Sequence, residues 1–283
     1  MKKWIVSAAL YLVVVIAGYT VYAEFIREEK VVEQHGSEHE TASEGHGEEA
    51  GHEEESEHAH GEDSSHESGA SEVEVALNYE NNQIMISLSD QDGKPVKDLE
   101  VNHEKLLHLI VVNSHLDEYY HLHPQKVEDG KFEITQTLPD GEYKAFVDIK
   151  PKDLEYAVNP LPFSVGNVEG SHEHGDVLKV DDTLTKTVDG ETVILNMNSM
   201  KANEPVTLDF ELNMENLEPY LGAMGHVVIL DEQANQYLHV HPSDHDKPIF
   251  ETQFNKPGKY KIWGEFQQDG KVRVFPFVVE ITE

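Results

Sequence analysis

The chain has 283 residues, with 21 Lys+Arg against 55 Asp+Glu, a formal net charge of −34, 18 histidines and no cysteine. So negative a chain excludes a nucleic-acid partner, because phosphate binding needs a basic face. Without cysteine there are no disulfides, thiolate nucleophiles, Cys-type zinc sites, iron–sulfur clusters or blue-copper thiolates.

In chain order, Met1-Lys2-Lys3 precedes an uncharged run from Trp4 to Ala23, long enough for a helix across a bilayer. The two lysines favour an inside N-terminus and place the rest of the chain outside the cytoplasm. Residues 1–23 therefore read as a transmembrane anchor, or as a cleaved signal peptide ending near Val21-Tyr22-Ala23. Residues 24–72 form a Glu/His-rich segment. Between Glu33 and Ala70 it holds 13 acidic residues, no Lys or Arg and seven histidines (His35, His39, His46, His52, His58, His60, His66). With almost no apolar side chains, this stretch is expected to be disordered. It serves either as a solvated spacer or as a loose metal sponge of imidazole and carboxylate.

From residue 73 the texture changes to short alternating runs such as Val73–Leu77 and Ile84–Leu88. They are punctuated by Asp92-Gly93, Asp129-Gly130, Asp140-Gly141, Asp189-Gly190 and Asp269-Gly270. No long amphipathic helix is expected. The reading is all-β: two tandem Ig-like or cupredoxin-like β-sandwich domains, residues 73–166 and 176–283, joined by a polar linker at 167–175.

The two domains are copies. His108, then twelve residues, then His121-Leu-His123-Pro124 is matched by His226, twelve residues, and His239-Val-His241-Pro242. Glu100 and Glu218 precede the motif alike, Phe132 and Phe250 follow it alike, and Gly141–Asp148 parallels Gly258–Glu265. Each motif reads as a hairpin, with turns centred at His115–Leu116 and Gln233–Ala234. That register puts His108 opposite His123 and His226 opposite His241, with all three histidines of each copy on one face. Three co-facial imidazoles can hold a metal ion, so two independent sites are expected: His108, His121 and His123, and His226, His239 and His241. The proline that ends each second strand suggests a solvent-accessible rim. Asp148 and Glu265 are candidates for a carboxylate ligand or for an acceptor behind a ligating ring, or are exposed strand carboxylates. Met224, two before His226, could offer a thioether to copper; Leu106 stands at the matching place in the first copy. Met197 and Met200 read as core or turn residues, and His103, His115 and His245 as surface residues. His172 and His174 form at best a flexible pair.

The phrases Leu-His-Leu-Ile-Val-Val…His-Leu-His-Pro…Asp-Gly-Lys-Phe and Tyr-Leu-Gly-Ala-Met-Gly-His…Tyr-Leu-His-Val-His-Pro resemble a group of exported bacterial β-sandwich proteins. These are similar to YtkA-like and cupredoxin-like metal-handling domains. The resemblance covers residues 73–283 and implies metal binding at the six motif histidines, without specifying the metal. The missing cysteine separates the chain from blue-copper electron carriers.

The expected function is that of an extracytoplasmic protein, membrane-anchored or secreted. It would buffer, sense or deliver copper or zinc ions, in exchange with a metal transporter or sensor at the membrane. It is read as a binding protein and not as an enzyme. The rivals are a metal-free adhesion or interaction module and a copper-dependent superoxide dismutase-like enzyme. The latter would want a further histidine ligand and a basic residue to steer substrate.

Overall fold

A computed structural model describes residues 71–102, 104–167, 178–240, 242 and 246–283. The Trp4–Ala23 run, the Glu/His-rich segment, most of the linker, His103, His241 and His245 lie outside the described residues. Among the described residues there is no helix, and hence none long and apolar enough to cross a membrane.

The first copy runs through ten strands: β1 (Val73–Glu80), β2 (Gln83–Asp90), β3 (Leu99–Glu100), β4 (His108–Asn113), β5 (Tyr119–Leu122), β6 (Gln125–Glu128), β7 (Lys131–Thr135), β8 (Gly141–Asp148), β9 (Lys150–Pro151) and β10 (Leu161–Val165). They form two antiparallel sheets, in the orders β1-β2-β7-β6 and β10-β8-β4-β5, with β3 paired to β9. The second copy continues with β11 (Thr185–Val188), β12 (Glu191–Met197), β13 (Pro205–Glu211), β14 (Leu217–Glu218), β15 (His226–Asp231), β16 (Tyr237–Val240), β17 (Ile249–Gln253), β18 (Gly258–Gln268) and β19 (Lys271–Ile281). Its sheets are β11-β12-β13-β17 and β14-β18-β15-β16, with β19 beside β18. Each copy is a β-sandwich.

Local chemistry sets the corners. Asp189 and Gly190 both take positive φ, at 49° and 87°, as the tight β11–β12 hairpin requires. Asn81 and Asn82 do the same at 52° and 62° between β1 and β2, a turn without the Asp-Gly signature of the others. Tyr143 donates its hydroxyl to the Pro139 carbonyl at 2.9 Å, and Tyr260 donates to Lys256 at 2.8 Å. This backward bond from the start of a strand is a recurrent corner device of Greek-key sandwiches.

Strand alternation divides the apolar residues between two kinds of core. In the first sandwich, Leu109 and Val111 of β4 point inward with Ala145 and Val147 of β8. They pack against Ile84, Ile86, Leu88 and Phe132 from the opposite sheet. In the second, Val227, Ile229, Ile262 and Phe266 meet Val193, Leu208, Phe210 and Phe250. The residues between them face the other way and are buried as well. Ile110, Val112 and Phe146 pack against Val228, Leu230 and Trp263 in a third core that lies between the sandwiches. The sheets carrying the histidine hairpins therefore cover each other. That is why every residue of β15 is buried, and all of β4 except Asn113.

The covering is reciprocal. Tyr119 stacks on Trp263 with ring centroids 4.7 Å apart, and the equivalent pair, Tyr237 on Phe146, lies at 5.1 Å. Lys261 donates to the Leu116 carbonyl at the tip of the first hairpin at 2.6 Å. Lys144 donates to the Gln233 and Ala234 carbonyls at the tip of the second, at 2.7 and 3.3 Å. The two copies thus meet with an approximate two-fold relation, each presenting the same patch to the other.

Candidate metal centre

The hairpin registers follow from the sequence spacing. Leu109 pairs with Leu122 and Ile110 with His121, which sets His108 level with His123 just beyond the ladder. Val227 pairs with Val240 and Val228 with His239 in the second copy. His108, His121 and His123 do converge: the His108 and His121 ring centroids lie 5.2 Å apart, His108 and His123 4.9 Å, and His121 and His123 4.8 Å.

The expectation of two independent, well-separated sites is corrected by the contact between the sandwiches. His239 lies 5.2 Å from His108 and 5.4 Å from His121, while His226 lies 6.4 Å from His108 and 5.9 Å from both His121 and His239. Five imidazoles from two domains make one cluster. The set whose ligand atoms all lie within 4.8 Å of one another is mixed: His108 and His121 from the first sandwich, His239 from the second. The open rim is corrected too. His108 and His226 have no exposed surface and His239 has 3%, because the opposing sheet covers the face they share.

Asp148 and Glu265 are not exposed strand carboxylates: they are 8% and 2% exposed. Each is the ladder partner of its own copy's leading histidine, Asp148 of His108 and Glu265 of His226. Each nevertheless reaches across to the other copy. Glu265 Oε2 accepts from His121 Nδ1 at 2.8 Å, and Asp148 Oδ2 accepts from His239 Nδ1 at 2.8 Å. Tyr237 also donates to Asp148 Oδ2, at 3.1 Å. Burial and the Asp148 charge hold the Tyr237 hydroxyl well above its ordinary range, and burial beside Glu265 does the same to Tyr119. Burial would raise Glu265, but the His121 ring, the Tyr119 hydroxyl and His226 together hold the carboxyl below the usual range.

These bonds fix the tautomers. A carboxylate or a carbonyl can only accept, so the ring nitrogen facing it must carry the proton. His121 and His239 are therefore protonated at Nδ1 and turn Nε2 inward. His108 Nε2 faces the Asn102 carbonyl at 3.0 Å, and His226 Nε2 faces the Tyr220 carbonyl at 2.9 Å. His108 accordingly turns Nδ1 inward. His108 Nδ1 then lies 3.0 Å from His121 Nε2 and 3.2 Å from His123 Nε2. With both rings neutral, the lone pairs of His108 Nδ1 and His121 Nε2 would repel unless a cation sat between them, whereas His123 Nε2 can carry a proton and donate to His108 Nδ1. Bonds of about 2.0–2.1 Å to a tetrahedral ion would space such nitrogens by about 3.3 Å.

A proton held on His108 is a poor candidate for that cation. Burial, with the positive charges that neighbouring rings would carry, holds His123 at about 3 and lowers His108. Burial likewise holds His226 at about 3. His108, His123 and His226 are thereby kept neutral.

Alternation cannot be used to place Met224. Tyr220 and Ala223 close a tight turn, and Gly225 has φ +142°, where a Cβ would meet Phe266 at 2.5 Å. The backbone is not extended from Met224 to His226, so the two-residue rule does not apply there. Met224 is half-buried in a bend ahead of β15. His115 is exposed at a turn. What the spacing could not reveal was the partner of each carboxylate. The signal for it was the unbroken apolar run Leu109–Val112 and its copy Val227–Leu230, which lacks the alternation of a half-exposed strand.

The molecule is thus a tandem β-sandwich protein with an imidazole cluster shared between its two domains. The chain belongs to a family described as a domain of unknown function, DUF8832, whose model matches residues 54–167 and 186–283. No curated protein matches the sequence. Among solved structures, the chain is similar to a two-domain fibronectin type-III segment of chicken tenascin, at 11% identity and TM-score 0.23, over 74% of this chain and 98% of that one. It is also similar to FdeC, an Escherichia coli adhesin, at 9% identity and TM-score 0.23, over 76% of this chain and 65% of that one. The FN1–FN3 domains of chicken CNTN1 match at 11% identity and TM-score 0.21, over 72% of this chain and 61% of that one.

Proposed function

We propose that the protein binds a transition-metal ion, copper or zinc, outside the cytoplasm, at one site assembled by both sandwiches. The observation that carries this reading is the crossed pairing of His121 with Glu265 and His239 with Asp148. It turns the Nε2 lone pairs of both rings toward His108 Nδ1, within 4.8 Å of one another. A carboxylate behind a ligating histidine fixes its orientation and raises its basicity, a recurrent device of zinc and copper sites. His123 Nε2 lies 3.2 Å from His108 Nδ1 and borders that set without belonging to it. Nitrogen donors of this kind suit zinc and copper and not magnesium or calcium.

The sandwiches are of immunoglobulin type on this reading, with the sheet orders and tyrosine corners already described. Burial of the rings favours holding an ion over turning over a substrate. The apolar run after Lys2-Lys3 supports export with membrane anchoring or secretion. The acidic, His-rich stretch would collect ions loosely before they reach the shared site. Exchange with a metal transporter or sensor would follow from that placement.

The test is titration of the full chain with Zn²⁺ and Cu²⁺ against a competing chelator, beside a chain carrying His108→Ala, His121→Ala and His239→Ala. One tight ion per chain should disappear from the variant while the weaker binding remains. Equal tight binding by both chains would defeat the proposal.

A further inference from the structure

We infer that the cluster is built for a divalent ion and discriminates against a monovalent one. The inference rests on the metal reading above and adds the charge of the ion. Asp148 and Glu265 are buried, and among the described residues their only ion-pair partners are His239 and His121. No lysine or arginine neutralises them there. Lys105 acts on His123 but pairs with neither carboxylate.

The crossed hydrogen bonds make the imidazoles neutral once their inward nitrogens face a metal, since each ring then keeps a single proton, on the outward nitrogen. The ligands bring no charge and the two carboxylates bring two negative charges. A doubly charged ion closes that balance. A singly charged ion leaves one buried negative charge uncompensated, which a low-dielectric site tolerates poorly. Copper, available in both states, is the natural probe. For a fixed geometry, the attraction between ion and carboxylates is twice as large for Cu²⁺ as for Cu⁺.

The experiment replaces both carboxylates with their amides, Asp148→Asn and Glu265→Gln, in the full chain. An amide oxygen still accepts from the imidazole N–H, so ring orientation is kept while the charge is removed. Affinities for Cu²⁺, and for Cu⁺ under anaerobic conditions, are measured by chelator competition. The triple His→Ala chain defines the binding that does not belong to the site. The double variant should lose affinity for both ions, with the fold loss for Cu⁺ about the square root of that for Cu²⁺. The reduction potential of the bound copper should rise accordingly, by about 59 mV for each tenfold difference.

Equal fold losses and an unchanged potential would overturn the inference and reduce the carboxylates to hydrogen-bond acceptors. The metal reading would still stand. Absence of site-dependent binding for either ion in the unsubstituted chain would overturn both. If the double variant does not fold, judged by circular dichroism, Glu265→Gln alone supplies the same comparison with half the charge removed.

Discussion

Glu265 ties the two sandwiches together at the cluster. It belongs to the second sandwich, accepts from a histidine of the first, and is 2% exposed. Removing its side chain leaves a buried imidazole N–H without its acceptor, which costs about 1–3 kcal/mol. Glu265→Ala should therefore lower the melting temperature of the metal-free protein by several degrees, at about 2–4 °C per kcal/mol for a chain of this size. Glu265→Gln should lower it less. Calorimetry of the two variants checks the order; an equal loss would mean that the bond to His121 contributes nothing. The buried histidines make a second prediction. Burial holds His226 and His123 at about 3, against about 6.5 in the unfolded chain. Between those values the unfolded state binds more protons, so stability rises with pH. Metal-free protein should keep its full stability above about pH 6.5 and lose it progressively as the pH falls toward 3. His226→Gln, which can still donate to the Tyr220 carbonyl, should flatten the decline in a melting series across that range.

At the scale of the strand, the histidine hairpins show what the sequence disclosed and what it hid. The register of β4 on β5 was legible because turn centre and alternation together fix which residues lie opposite each other. The convergence of His108, His121 and His123 followed from it. Hidden was the occupant of the space in front of those rings, because spacing within one hairpin contains no information about a second sheet. The clue was available in Ile110, Val112, Val228 and Leu230, apolar residues on the face expected to be open. Met224 was not legible for a different reason: Gly225 interrupts the extended backbone, and alternation cannot be counted across a residue at φ +142°. Gly225→Ala should consequently be disruptive, since an alanine there must adopt an unfavourable φ and meet the Phe266 ring at 2.5 Å. It should displace the start of β15 and lower the melting temperature by several degrees, at about 2–4 °C per kcal/mol. A variant as stable as the parent would show that the backbone there is not constrained.

For the whole molecule, an ion held as proposed by imidazoles of both sandwiches would link their stabilities. An ion that binds only the docked state stabilises it by about 2.7 kcal/mol at a hundredfold excess over the dissociation constant. Both sandwiches should share the gain, so a melting curve with metal should move upward as one transition and not as two. A charge placed in the intervening core, Val228→Asp or Ile110→Asp, should abolish tight metal binding while leaving the strand content seen by circular dichroism. His108→Ala in the first sandwich and His239→Ala in the second should each remove the same ion. Loss of half the bound metal from either one would restore the picture of two separate sites.

The reciprocal patch between the sandwiches has a further consequence. A surface that recognises its own duplicate is, physically, a homodimer interface whose partner has been tied on by covalent linkage. The tether replaces bulk concentration with a local one in the millimolar range. Expressed as two separate polypeptides, split within the linker at residues 167–175, the halves should still find each other. Stacking of Tyr119 on Trp263 and of Tyr237 on Phe146 would guide them, and added metal would tighten the pair. Size-exclusion chromatography of the mixed halves, with and without Zn²⁺, would reveal that reassembly; halves that stay apart under both conditions would show that the tether is indispensable.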